Sequence, residues 1–313
     1  MILSVALCTY NGAKYIEEQL RSILNQTMQV DEIVICDDGS IDETVEIVKR
    51  IKKDADVEIR IFQNEINLGF KENFFNGIEK CNGDVVFLSD QDDLWCPNKV
   101  DAIVRWLDAH SDKMVVFSDA FLIDETGNYL EGSLWKRFGF DRKKQKYFDK
   151  GFGLDIWAWS NRATGATMAV RKSYIESIGW RKSNDDFHDK IIALHGLEDQ
   201  LLGYINQKLI CYRLHGGQAC GANNLSKELF STPLKPCIPA FLDFDICSIS
   251  DKGRKHVEFL FQRASCKFSW FGMAPITMIA KYFRDYHLWA YKYVIYDIYV
   301  SVRHSIKRVL YKD

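Results

Sequence analysis

Four short apolar runs in the first ninety residues each break off in a polar stretch, and a helical pattern follows every one. Ile2 to Leu7 runs out at Cys8-Thr9-Tyr10-Asn11-Gly12, and Glu32 to Cys36 at Asp37-Asp38-Gly39-Ser40. Val57, Ile59 and Ile61 alternate ahead of a loop, Asn64 to Gly69. Val85-Val86-Phe87-Leu88 leads into Ser89-Asp90-Gln91-Asp92-Asp93-Leu94-Trp95. Between these runs Ile16, Leu20, Ile23 and Leu24, then Val45, Val48 and Ile51 behind a capping Asp42, then Phe70, Phe74 and Ile78 recur at helical spacing. Strands alternating with helices of this length build βαβ units around a parallel sheet, so the fold class is α/β. Open sheets of this kind bind ligands at the C-terminal ends of their strands. Asn11, Asp37, Asp38, Asp90, Asp92 and Asp93 are thereby expected along one sheet edge, in a geometry suited to a nucleotide.

The acidic turn after the fourth strand sharpens that expectation. Two unit charges ~4 Å apart repel by several kcal/mol at intermediate dielectric, so three crowded carboxylates call for a cation. Mg²⁺ or Mn²⁺ takes carboxylate oxygens and leaves positions open for phosphate oxygens. An isolated Asp-x-Asp also reads as a solvated loop with a helix cap; the polar residues ending the first two strands weigh against that reading here.

Several classes are excluded. No Gly-x-Gly-x-x-Gly follows the first strand, no Gly-x-x-x-x-Gly-Lys-Ser/Thr is present, and there is no Gly-x-Ser-x-Gly elbow. A formal net charge of −2 carries no polyelectrolyte signature, so nucleic acid is not an expected partner. Nine scattered cysteines without a Cys-x-x-Cys pair suit neither a zinc site nor a disulfide framework and fit a reducing cytosol. The N-terminus enters directly into a strand, so no secretory signal is expected.

Beyond the turn, Pro97 falls early in a helix carrying Val100, Val104 and Leu107, and Met114 to Phe117 is a strand followed by Ser118-Asp119. Ile123 to Tyr129 reads as a turn between extended runs. Residues 133–160 are basic and aromatic, with Trp135, Lys136, Arg137, Phe138, Trp157 and Trp159: either a surface excursion with partly buried rings, or a lid whose aromatic faces stack on acceptor sugars. Thr164 to Val170 returns as a strand. Asp185-Asp186-Phe187-His188-Asp189 reads by itself as a helix start, because aspartate favours that position.

Thr9-Tyr10-Asn11-Gly12, Asp37-Asp38-Gly39-Ser40, Asn67-Leu68-Gly69 and Ser89 to Trp95, in that order, resemble the donor domain of family 2 glycosyltransferases with the GT-A fold. The resemblance extends over roughly residues 1–222 and is nearest the bacterial rhamnosyltransferase-like branch of surface-polysaccharide enzymes. It implies a Rossmann-like, mostly parallel sheet flanked by helices, with a helical C-terminal annex. It implies a nucleoside diphosphate sugar donor with Mn²⁺ or Mg²⁺. Asp38 would then touch the nucleobase and Asp90 the ribose, with Thr9, Tyr10, Asn11 and Asn67 around them, and Asp92 would coordinate the metal. Asp189 falls where inverting enzymes of this fold place the catalytic base, with Glu198-Asp199 as the rival. In Tyr212-Arg213-Leu214-His215-Gly216-Gly217, His215 takes the place of a C-terminal metal ligand and Arg213 suits diphosphate charge. This sequence departs from the branch at Lys190-Ile191, where relatives often carry two aromatics, and at Gln218, where they tend to carry Asn.

Residues 1–222 are therefore expected to form the nucleotide-sugar-binding, catalytic domain. Residues 223–313 would be a linker, marked by Pro233, Pro236 and Pro239, and a basic-aromatic helical region. Charges interrupt that region before the ~20 apolar residues a membrane span needs. It reads either as an annex on the catalytic domain or as an interfacial helix at an anionic inner leaflet. The expected activity is metal-dependent inverting transfer of rhamnose or a hexose, from a dTDP- or UDP-sugar, to a lipid-linked glycan of O-antigen or capsule synthesis. Its place would be the cytoplasm, peripheral on the inner membrane face. Two rivals are a sugar-phosphate nucleotidyltransferase, which would need a glycine- and arginine-rich loop absent from Thr9 to Lys14, and a non-catalytic nucleotide-sugar- or glycan-binding protein.

Overall fold

The computed structural model describes residues 1–157, 161–180 and 187–216. The C-terminal region expected over 223–313, the boundary before it, and Trp159, Asp185, Asp186 and Gln218 lie outside the described residues.

The elements run β1 (Leu3–Thr9), α1 (Ile16–Leu24), β2 (Glu32–Asp37), α2 (Thr44–Lys52), β3 (Glu58–Gln63), α3 (Phe70–Lys80), β4 (Val85–Ser89), β5 (Leu94–Trp95) and α4 (Lys99–Ala109). Then come β6 (Val115–Ile123), β7 (Tyr129–Leu130), α5 (Leu134–Phe138), α6 (Arg142–Phe148), α7 (Gly153–Trp157), a 3₁₀ turn over Gly165–Thr167, β8 (Met168–Arg171), α8 (Lys172–Ser177), α9 (His188–Glu198) and β9 (Leu202–Arg213). The strands join in the order β3-β2-β1-β4-β8-β6-β9-β5, with β7 attached to β6. The first four are mutually parallel, β8 is antiparallel to β4 and β6, β9 runs parallel to β6, and β5 is antiparallel to β9. Since β4, β6 and β9 point the same way, the C-terminal end of β9 arrives at the edge where β1, β2 and β4 end.

Period-two alternation divides the core. Val5 and Leu7 of β1 face Ile16, Leu20 and Ile23 of α1 and Val100, Ile103 and Leu107 of α4. Ala6 and Cys8 face Phe74, Phe75 and Ile78 of α3, and Ile191 and Ile192 of α9 extend that layer. Every residue of β1, β2 and β4 is buried, as expected of parallel strands covered on both faces. Each large aliphatic side chain so buried stabilises the fold by about 1.5–3 kcal/mol.

Four local expectations are corrected. Leu94-Trp95, read as part of a turn, is a two-residue strand on β9. Pro97 precedes α4, and its carbonyl takes the Thr27 N–H (2.8 Å). Strand β6 continues through Ser118-Asp119, because a register shift there lets it follow β9 to Ile123. Rings within 133–157 belong to the core: Trp135 and Trp157 are buried edge-on to Phe117, and Phe140 is buried tilted against it. Among the described residues no helix is long and apolar enough to cross a membrane.

Candidate active site

The ends of β1 and β2 lock together. Thr9 donates its hydroxyl to Asp37 (2.8 Å), and Asp37 also takes the Ser40 N–H (2.9 Å). Asn11 sits in the left-handed region at φ 47°, where it takes the Ile41 N–H on its side-chain oxygen (3.0 Å). Asp38 is buried and accepts from Asn64 Nδ2 (2.8 Å), Leu68 N (2.8 Å) and Gly69 N (2.9 Å). It thereby folds the loop that presents Asn67, with Gly69 at φ 84° making the turn. Here Thr9 and Asp38 brace the floor of the edge rather than line it. Their oxygens are taken by neighbouring protein groups, whereas Tyr10, Asn11 and Asn67 stand exposed on the rim.

The acidic turn crosses this edge from β4 to β5. Asp92 reaches His215, which follows β9, with Oδ2 2.7 Å from Nε2. Asp93 is buried and takes the Arg213 backbone N–H (2.9 Å); burial, then the charges of Asp92 and Asp90, drive its carboxyl well above the usual range. Burial and the charges of Asp92 and Asp189 push the Asp90 carboxyl up to about 8, against the pull of Lys99. The buried Tyr212 hydroxyl is raised by burial and then by Asp93, Asp90, Asp92 and Asp189. All four carboxylates therefore bear on one point, the Tyr212 hydroxyl.

Asp189 comes to that point from α9, as the second residue of its first turn, and its Oδ2 takes the Gly165 N–H (3.2 Å). His188 beside it is buried, stacked on Phe74 at 3.8 Å, and held neutral by burial with a pKa down at about 3. Asp199, the rival base, sits ten residues on, about 15 Å along the helix axis. There its carboxylate takes the Tyr174 hydroxyl (2.9 Å), and Glu198 closes the same far end.

Arg213 departs from the phosphate-facing role expected of it. Its side chain is 2% exposed and donates to the Asp92 carbonyl (2.8 Å), the Glu125 carbonyl (3.2 Å) and Glu18 (2.9 Å), over the Tyr15 ring. It buttresses the acidic turn from below, and Tyr15 also packs on His215 at 4.9 Å. Sequence reasoning missed Gln91, whose amide bonds both ways with the Tyr10 backbone (2.9 and 3.1 Å). A Cβ on Gly12 would come 2.0 Å from that amide oxygen, so a larger residue there would have to displace the Gln91 amide. It also missed Lys99, buried beneath the turn. Neither residue type at those positions signals its role without the fold.

Among the described residues, no three His, Cys, Asp or Glu side chains form a ready-made cation cage. The donor set nevertheless fits Mn²⁺ or Mg²⁺. Asp92 and His215 supply an oxygen and a nitrogen side by side, 2.7 Å apart. A cation bound through one or two side chains leaves its other positions to phosphate oxygens.

The family model described as Glycosyl transferase family 2 matches residues 4–173. The chain belongs to that family. An uncharacterized glycosyltransferase of Haemophilus influenzae is 33% identical over 141 residues, 43% of this chain and 43% of its own length, so the transferase spans less than half of that relative. The uncharacterized glycosyltransferase MJ1057 of Methanocaldococcus jannaschii is 28% identical over 68% of this chain and 71% of its own. Glycosyltransferase GlyG of Streptococcus pneumoniae is 25% identical over 79% and 84%. Among solved structures, S. aureus TarS 1–349 in complex with UDP-GlcNAc matches with a TM-score of 0.55 at 16% identity, covering 97% of this chain and 81% of that one. TarS 1–349 in complex with UDP gives 0.53 at 16% identity, covering 86% and 73%. These likenesses carry the fold, which is the GT-A type.

Proposed function

We propose that the transferase moves a sugar, with inversion, from a nucleoside diphosphate sugar to a hydroxyl of a lipid-linked glycan. The donor is dTDP-rhamnose or a UDP-hexose, and the product belongs to cell-surface polysaccharide synthesis on the inner membrane face. The observation that carries the reading is the Asp92–His215 contact, which joins the turn after β4 to the end of β9 at the sheet edge, with Asp189 held by the Gly165 N–H on α9. UDP and UDP-GlcNAc in the TarS complexes support a nucleotide-linked donor.

Each residue has a task its geometry suits. Tyr10, Asn11 and Asn67 on the rim meet the nucleoside, and Asp90 accepts from ribose hydroxyls. Asp92 and His215 would hold the metal, which supplies positive charge against the leaving diphosphate. Asp189 accepts the acceptor hydroxyl's proton as its oxygen attacks the anomeric carbon. A carboxylate is a weak base, so Asp189 depends on being held close and oriented, and the Gly165 N–H with the packed His188 does that.

The test is nucleoside diphosphate release from dTDP- and UDP-sugars with Mn²⁺, Mg²⁺ or EDTA, with and without membrane lipid extract. Release from one donor, lost in EDTA and raised by lipid, is the expected result. Asp92→Ala should lose metal-dependent donor binding, and Asp189→Asn should bind donor but transfer about 10²–10⁴-fold more slowly. Wild-type transfer by Asp189→Asn would remove it as the base, and absence of donor binding by the native protein would sink the donor site.

A further inference from the structure

Lys99 is a charged side chain buried in the body of the site. It is the first residue of α4, directly beneath the acidic turn, and it has no exposed surface. Lysines are almost never fully buried without partners, because removing an ammonium from water costs several kcal/mol. Its Nζ donates to the Ala166 carbonyl (2.8 Å) and lies 3.8 Å over the Trp95 ring. Burial pulls its pKa down to about 7, against the raising effects of Asp93, Cys96 and Asp90.

The partner on the other side gives this contact its meaning. Ala166 is the middle residue of the Gly165–Thr167 turn, and Gly165 in that turn donates its N–H to Asp189. A continuous path thus runs from Trp95, at the end of the acidic turn, through the ammonium to the Ala166 carbonyl, along one residue of backbone and into the Asp189 carboxylate. Donor-side and acceptor-side groups otherwise come from elements far apart in sequence.

We propose that Lys99 is a positioning residue that sets the distance between the donor-binding acidic turn and the catalytic base. It touches neither substrate. Its ammonium packs on Trp95 at the end of the acidic turn, its N–H fixes the Gly165–Thr167 turn, and Asp189 rests on that turn. The inference rests on the reading of Asp189 as base.

A double-mutant cycle on the full-length protein tests it, with turnover read at saturating donor and nucleoside diphosphate affinity read separately. Lys99→Met should lower kcat about tenfold to a hundredfold, the effect of an ~1 Å drift of a reacting group. In an Asp189→Asn background the same change should alter residual turnover less than about threefold, because there is no base left to position. Lys99→Gln keeps an N–H for Ala166 without the charge; it should fall between wild type and Lys99→Met, and it serves if Lys99→Met does not fold. Wild-type kcat in Lys99→Met or, where that variant does not fold, in Lys99→Gln overturns the proposal, as does an equal fold-loss in both backgrounds. Full activity of Asp189→Asn alone instead removes the base reading, and the coupling with it, a pattern distinct from the other two.

Discussion

Gly165→Ala is the smallest change that reaches the proposed base. An ideal Cβ at residue 165 would lie 2.4 Å from His188 Nε2, 3.2 Å from Cε1 and 3.5 Å from Cδ2. Comfortable contact between such atoms is about 3.5–4.0 Å, so something must retreat by roughly 1 Å. The imidazole has little room, since Phe74 lies flat behind it at 3.8 Å and both side chains are buried. Overpacking of a closed site costs about 1–3 kcal/mol. The strain falls on the first turn of α9, and a shift of about 1 Å in Asp189 should cost on the order of 10²-fold in transfer. Urea unfolding reads the first effect and nucleoside diphosphate release with acceptor reads the second. Nucleotide affinity, which the proposed function assigns to the rim and to Asp92 with His215, should stay within a few-fold of wild type. Adding His188→Ala opens space for the methyl, so the pair should be more stable than the sum of the single changes by about 0.5–3 kcal/mol. Wild-type stability and turnover in Gly165→Ala would refute the contact between residue 165, His188 and the base.

Three further outcomes follow from the same packing. His188 has a folded pKa near 3, below its ordinary 6.5, so the unfolded chain binds the extra proton between those values; the stability it contributes is full above pH 6.5 and is lost as pH falls toward 3. Between pH 7 and pH 5 this amounts to about 2 kcal/mol, and denaturant melts should show that slope flattened in His188→Phe. Arg213→Lys cannot span the Asp92 and Glu125 carbonyls and should cost about 2–3 kcal/mol in urea melts while weakening Mn²⁺ binding; unchanged Mn²⁺ affinity would argue against the buttress. His215→Ala should lose most Mn²⁺-dependent donor affinity but keep the fold, and calorimetric titration with and without metal distinguishes this from a purely structural histidine.

Much of the architecture is legible in the sequence because parallel strands covered on both faces read as apolar runs, and α1 to α4 keep a helical stripe. The candidate binding edge is legible for the same reason: Asn11, Asp38 and Asp90 stand where those runs stop. The roles of individual side chains are harder to read. Nothing in Thr9 or Asp38 says that its oxygens are already claimed by Asp37 or by the 64–69 loop, since those partners arrive through tertiary contacts. Strand β5 is too short to show any period. Lys99 and Arg213 look like ordinary helix and strand charges, and only the fold shows that both are buried under one acidic turn. The rings at 135, 140 and 157 suit a sugar-binding lid as well as a core by composition; packing around Phe117 decides it.

The pairing of the acidic turn with β9 also fixes when the site comes into being during synthesis. Asp93 and its backbone partner Arg213 are 120 residues apart. At about 5–20 residues per second, roughly 6–24 s separate their emergence from the ribosome. Throughout that interval the turn has neither Arg213 packed on it nor His215 beside Asp92. On the proposed reading, stabilisation by donor or metal would begin only after β9 has threaded alongside β6, and a chain cut short before residue 213 would carry the carboxylates without their partners.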